Sequence, residues 1–284
     1  MKRYLTLLLS GGLCCLLSVP AFCQGQITTR REKLRDFTAK TTKVVLSGND
    51  MLDEALRESV TSHWDLSPYE FCTFREFENL KKNPNYYFLL VVKEKLHRET
   101  VPGISVLTLL KGGPEASGGL DKMLEVVAFP FCSAEFPSGR EFVLLPAFLD
   151  IVQRHTAHQI NTELKAYSGL GNFNKNFRQL KGKTIHFAES DLAPQANRKV
   201  REAMDEGIFF ESEGQVDSLF AEGAYEAVVS YVVAPSEPVA GSQCYKMLIG
   251  SDTHELYFFK KHRISARKGA GFLSGDLRAV QNIR

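Results

Sequence analysis

The sequence predicts a mixed α/β (α+β) protein of two similar modules. Each is a two- or three-layer unit in the order strand–helix–strand–helix–strand–strand–strand, with a small mixed sheet. Three observations predict it. Residues 44–92 and 185–233 carry the same succession of β-rich runs and helical stripes. Landmarks in the two stretches keep a near-constant offset: Asp50 and Asp191 stand 141 residues apart, and the pairs Phe71 and Phe210, Leu80 and Leu219, and Tyr86 and Tyr225 each stand 139 apart. The chain has 284 residues, enough for two domains that each bury a core.

The first residues read as a removable export signal. Lys2 and Arg3 precede an apolar run over 4–17, and Ala21 and Cys23 take the −3 and −1 places of a cleavage site before Gln24. The run is short for a membrane span and is weakened by Gly11 and Gly12. Leu13, Cys14 and Phe22 precede Cys14, Cys15 and Cys23, and none is the small residue of a lipobox. Residues 1–23 are therefore expected to be cut off, leaving a protein that is periplasmic or outer-membrane-associated in a bacterium of Gram-negative type. Loss of Lys2 and Arg3 takes the formal charge from +2 to zero, which argues against a nucleic-acid partner. Cys72, Cys132 and Cys244 remain; they fall in or near strand-like runs and are expected as buried free thiols, with no disulfide framework.

Residues 24–42 are polar and basic, with Leu34 and Phe37 the main apolar exceptions, and read as a flexible lead-in. Module one is expected over 43–167. It opens with a strand at 43–46, followed by a helix capped by Asn49 or Asp50, acidic in its first turn and striped by Leu52, Leu56 and Val60. A short strand at 69–73 and a short helix at 74–82 follow, with Phe77 and Leu80 inward. After the turn at Asn83-Pro84-Asn85 comes a continuous apolar run at 86–92, the pattern of a strand covered on both faces. Runs at 104–110 and 123–131 read as a meander. The longest helical pattern spans 146–166, with Phe148, Leu149, Val152, Thr156, Ile160 and Leu164 in step and Pro146 suited to a first turn. That helix is expected to pack across or between the modules.

The Gly- and Asn-rich stretch 168–182 reads as a linker, and 183–284 as module two. Its strands are expected at 184–187, 208–211, 226–233, 244–249 and 255–260. Ser190 or Asp191 is expected to cap its first helix, striped by Leu192, Ala196 and Val200. Val216, Leu219 and Phe220 mark the second.

Several motifs fail on mechanism. Gly182-Lys183-Thr184 lacks the upstream glycine of a phosphate loop and precedes a strand. Ser168 lacks the first glycine of a nucleophile elbow, and Gly269-Ala270-Gly271 is a turn. His155 and His158 have no third ligand at helical spacing, and Cys72 with His63 is a thiol–imidazole pair only in sequence proximity. No catalytic, cofactor-binding or metal-ligating set emerges, and no cofactor is expected. The candidate interface residues are Trp64, the single tryptophan, and the basic cluster Lys260, Lys261, Arg263, Arg267 and Lys268. Such a cluster protects a sheet edge or meets an anionic polymer or peripheral membrane surface.

The order strand–helix–strand–helix–strand–strand–strand behind an export signal resembles the amino-terminal domain of the Tol translocation protein. It also resembles the modules of the curli-secretion and penicillin-binding-protein-activator lipoproteins. The segment Gly223-Ala224-Tyr225-Glu226-Ala227-Val228-Val229 looks like their entry into the third strand, with Asn85-Tyr86-Tyr87-Phe88 as its counterpart in module one. Neither first strand ends in their Pro-Phe and neither third strand in their glycine, so no functional residue carries over. The resemblance implies a non-catalytic envelope protein, an accessory or scaffold component that works by contact with envelope protein partners. The alternative expectation is a bilobal protein that binds a small molecule between its modules.

Overall fold

The computed structural model describes residues 34–95, 99–161, 169–196, 198–204 and 206–283. The export signal, the first part of the lead-in and Leu164 lie outside the described residues. Module one runs β1 (Thr41–Val45), α1 (Asp50–His63), β2 (Tyr69–Cys72), α2 (Phe74–Leu80), β3 (Tyr86–Glu94), β4 (Ile104–Lys111) and β5 (Leu124–Ser133), and α3 (Arg140–Asn161) follows. Module two runs β6 (Thr184–Ala188), α4 (Arg198–Glu202), β7 (Ile208–Glu211), α5 (Glu213–Ala221), β8 (Ala227–Val233), β9 (Gln243–Gly250) and β10 (Leu256–Arg263), and α6 (Ser274–Gln281) follows.

The two sheets are alike strand for strand. Sheet one has the order β2-β1-β3-β4-β5 and sheet two the order β7-β6-β8-β9-β10. In each, the first three strands are parallel and the last two antiparallel. The second helix of each module opens with a reciprocal capping box, Thr73 with Glu76 and Ser212 with Gln215, again 139 residues apart. The protein is thus a mixed α/β fold of two similar five-stranded modules.

Side chains alternate across each sheet and divide the interior into three cores. Val45, Phe77, Phe88, Leu90 and Leu110 fill the outer face of sheet one under α2. Ile185, Phe187, Val228, Leu248, Phe272 and Leu277 fill the outer face of sheet two under α6. The third core is shared. Leu56 and Val60 of α1, Phe129 and Phe131 of β5, Val216 and Phe220 of α5, and Val229, Tyr231 and Met247 of sheet two all belong to it. Its centre is α3, which buries Leu144, Leu145, Phe148, Leu149, Ile151 and Val152 completely and lies against α1, β5 and α5.

Several local expectations are corrected. The lead-in becomes part of module one from Leu34 onward: Leu34 and Phe37 are fully buried, and Phe37 meets the Tyr87 ring edge-on at 4.5 Å. Asp36 fixes this segment by accepting from Tyr87 Oη at 3.1 Å and pairing with Lys111 at 3.1 Å. The long helix starts at Arg140 rather than at Pro146. Ser138, Gly139 and Glu141 set its start, with the Glu141 carboxylate accepting from Gly139 N at 3.0 Å and Ser138 Oγ at 3.2 Å. Pro146 sits within the helix on a side that is only partly buried, along with Phe142 and Val143, where the carbonyl it leaves unbonded is tolerable. The stretch expected as a linker forms a 3₁₀ helix, Gly169–Leu180, packed on β10 with Leu170 and Leu180 fully buried. Asn49, not Asp50, caps α1, accepting from Leu52 N at 3.0 Å. Asp191 caps no helix and lies in a short 3₁₀ turn. Cys72, Cys132 and Cys244 are buried free thiols, as expected.

Phe148 is the residue that ties both modules to α3, its ring 4.9 Å from Phe129, 6.0 Å from Phe131 and 5.3 Å from Tyr231. Phe148→Ala is expected to cost about 3–5 kcal/mol. Urea unfolding followed by hydrogen exchange should show β1–β3 and β8–β9 losing protection together, in one transition. Separate transitions for the two sheets would contradict the shared core.

Candidate functional site

The chemistry that remains after the cores are filled concentrates along the seam where module one, α3 and module two meet. Arg140, the first residue of α3, turns its side chain into module two. Its guanidinium is 4 % exposed and donates to Asp217 Oδ1 at 2.8 Å, Asp191 Oδ2 at 3.1 Å and Ser230 O at 3.1 Å. Ser230 Oγ donates to the same Asp191 oxygen at 2.6 Å and accepts from Ala188 N at 2.9 Å. Burial works against the guanidinium charge, but the Asp191 and Asp217 carboxylates outweigh it and hold Arg140 above its ordinary pKa. The space beyond the carboxyl end of β6, beside the middle of β8, is the switch-point position where open α/β sheets bind ligands, and it is filled by the chain's own arginine.

Farther along the same helix, three elements bring two imidazoles to one carboxylate. Asp150 projects from the middle of α3, His63 ends α1, and His254 sits in the turn between β9 and β10. His254 Nδ1 is 2.6 Å from Asp150 Oδ2, and His63 Nδ1 is 3.6 Å from the same oxygen. The two imidazole rings lie 5.5 Å apart. All three side chains are partly exposed, at 31 % for His63, 20 % for Asp150 and 18 % for His254.

The neighbours hold this geometry. Gln153, one turn along α3, donates to His63 O at 2.7 Å and accepts from Asp65 N at 2.8 Å and Leu66 N at 3.0 Å. Arg154 donates to Thr253 O at 2.7 Å and His254 O at 3.0 Å and pairs with Glu255 at 3.1 Å. The Phe220 ring stacks on His254 at 5.3 Å. His254 has φ of +52°, a left-handed conformation uncommon outside glycine. Among the described residues this is one group of three side chains whose atoms can share a metal ion.

Of the residues singled out by sequence, His63 belongs to this group and the candidate interface residues do not. Trp64 is buried in the shared core beside the seam, its Nε1 donating to Ser67 Oγ at 3.2 Å. Lys260, Lys261, Arg263, Arg267 and Lys268 are all exposed, on the second half of β10 and the turn after it. β10 is an end strand of sheet two. Asn174 of the 3₁₀ helix covers its first half, donating to Phe259 O and accepting from Phe259 N at 2.8 Å each, as a neighbouring strand would. The basic residues line the half that Asn174 does not reach. Lys260 also pairs at 2.7 Å with Asp276, whose carboxylate binds the fully buried Lys246 and so ties α6 to the sheet.

Cys72 packs with Phe77 and Phe88 on the outer face of sheet one, away from His63, so the thiol–imidazole pair does not form. Burial pushes the thiols of Cys72 and Cys244 up to about 11 and that of Cys132 up to about 12, which makes all three poor nucleophiles. His155 is fully buried, and desolvation lowers it to about 3, a packed neutral imidazole. Where the loops after β3 and β8 approach each other, Glu99, Val101, Pro102, Glu135, Pro235 and Val239 line a cavity of about 160 Å³. Ligand pockets generally run from about 300 to 1,000 Å³.

Sequence reasoning missed Asp150 and His254 because they lie 104 residues apart and fall in no motif. Only the contact between modules joins them. No family model, no curated protein and no solved structure matches this chain.

The arginine plug gives a sharp expectation. Arg140→Ala leaves Asp191 buried with a hydroxyl as its remaining side-chain partner and should cost about 3–5 kcal/mol. Burial already raises the Asp191 carboxyl in the parent, with Arg140 opposing it, and loss of the guanidinium raises it further, so the folded variant holds the proton to higher pH than the folded parent. Its deficit against the parent should therefore grow as pH rises above the parent's own raised folded-state value and be larger at pH 7 than at pH 5. Urea denaturation at the two pH values checks this; an equal deficit at both would contradict it.

Proposed function

We propose that this is an exported, non-catalytic accessory or scaffold protein of the cell envelope, periplasmic or outer-membrane-associated, that works by contact with a protein partner. One observation carries the reading: α3 and Arg140 pack the centre of the junction and leave at its margin a cavity of only about 160 Å³, while the outermost strand of each parallel half-sheet has no strand beyond it among the described residues. A protein that closes on a small molecule needs an interlobe crevice and freedom to hinge. A packed common core favours the contact reading over that alternative. The strand–helix order shared by both modules is also the order on which the resemblance to envelope proteins of the Tol type rests.

The two end strands offer the same recognition element. Pro68 O and Cys72 O accept from Thr42 N and Leu46 N, so in β2 the backbones of Tyr69 and Phe71 face outward. Gly207 O accepts from Ile185 N, so in β7 those of Ile208 and Phe210 do. A partner segment adding a strand to such an edge bonds to these groups. Phe209, 42 % exposed and stacked on His186 at 4.8 Å, gives the β7 edge an apolar flank. The exposed lysines and arginines of β10 leave the opposite edge less receptive to strand addition.

The test is a photo-crosslinker placed at Phe209, with capture from native envelopes and identification of the joined peptide. Phe210→Pro removes an outward N–H and should abolish the adduct, whereas Phe210→Ala keeps that N–H and should retain it. Circular dichroism checks that both variants fold. Recovery of the protein alone, as a monomer stabilised by a small molecule, would overturn the reading.

A further inference from the structure

We infer that His63, Asp150 and His254 form a binding site for a divalent transition metal, zinc by the chemistry of the donors, which clasps the two modules at their seam. The inference is independent of the partner reading.

Two imidazole nitrogens and one carboxylate oxygen are a zinc-type donor set: the cation binds nitrogen and oxygen at about 2.0–2.2 Å, in sites of four ligands. Calcium and magnesium favour all-oxygen shells and are poorly matched here. Donors around a tetrahedral ion of that size stand about 3.3 Å from one another. The Asp150 oxygen is already 3.6 Å from His63 Nδ1 and 2.6 Å from His254 Nδ1, and the donor atoms all lie within 4.8 Å of one another. Binding thus needs movements of roughly an ångström, within the reach of side-chain rotation. The contact between Asp150 and His254 opens, and each imidazole offers an unprotonated Nδ1 to the ion. The partial exposure of all three side chains leaves a route in and a fourth position for water.

The surroundings separate this group from a chance meeting of surface side chains. Each donor belongs to a different element, and each element is held at that point. Gln153 fixes the carbonyl of His63, Arg154 fixes the carbonyls of Thr253 and His254, and Phe220 stacks on the His254 ring. Asp150 stands on α3, the most completely buried helix of the fold. Supporting residues that hold donors within fractions of an ångström are what a metal site requires. His63 comes from module one and His254 from module two, so an ion here adds a direct bond between them through α3.

The test uses the purified protein, freed of any histidine tag, with Co²⁺ and Zn²⁺ as probes. Co²⁺ should produce visible d–d absorption that saturates at one equivalent and is displaced by Zn²⁺. One equivalent of Zn²⁺ should raise Tm and slow hydrogen exchange both at the end of α1 and in the β9–β10 turn. His63→Gln and His254→Gln should each weaken binding at least about 100-fold, since loss of a supporting residue alone costs 10–100-fold. Asp150→Asn, nearly isosteric, should do the same while keeping the fold, and His158→Gln should change nothing. Absence of saturable binding at one equivalent would overturn the inference. So would binding that survives unchanged in Asp150→Asn and His254→Gln.

Discussion

The burial of α3 on opposite sides is the constraint on which the rest of the molecule depends. One side of the helix completes the core of module one against α1 and β5, and the other completes module two against α5. Six of its large apolar side chains are fully buried, each contributing about 1.5–3 kcal/mol relative to exposure. Their sum, on the order of 10 kcal/mol, is comparable to the whole net stability of a typical domain. Separating the modules would forfeit much of it, so neither is expected to persist alone. Arg140 plays a different part. A buried ion pair rarely adds net stability, but a guanidinium that must meet two carboxylates and a carbonyl fixes the angle and register at which α3 enters module two.

The modules are joined head to tail rather than face to face. Module one presents to the seam the side that carries α1, whereas module two presents the side that carries α5, the counterpart of α2. The helix after the last strand occupies the same place in both: α3 lies against α1, and α6 lies against α4. In module one that helix is long and apolar on both sides. In module two it is eight residues long, with Gly275, Arg278 and Asn282 exposed along its outer side.

Much of the fold was legible in the sequence because strands covered on both faces write continuous apolar runs, and 86–92, 104–110 and 226–233 do so. The capping boxes at Thr73 and Ser212 were equally legible and would have added two further landmarks at the same offset. The failures share one cause. Pro146, Asp191 and the stretch 168–182 carry strong local signals for a helix start, a helix cap and a linker. Tertiary contacts overrode each: the Ser138–Glu141 motif moved the start upstream, Arg140 claimed the Asp191 carboxylate, and β10 gave Asn174 and Leu180 a surface to pack on. Local chemistry states what a residue can do, and the seam decided which option was taken.

That same seam explains why no site could be read from linear spacing. A head-to-tail junction uses a different face of each module, so the residues that meet there have no duplicates at the 139-residue offset: His63 would correspond to Glu202 and His254 to Glu115. The junction therefore constrains different residues in each module, while the two sheets are alike because the same succession of strands pairs in both. Side chains such as His63, Asp150, Gln153 and His254 acquire a common geometry only when α3 is seated. Whatever the group does, it does so as a property of the joined molecule, and loosening α3 would disperse its three donors at once. The packing that closes the centre of the junction is thus the packing that brings His63, Asp150 and His254 together.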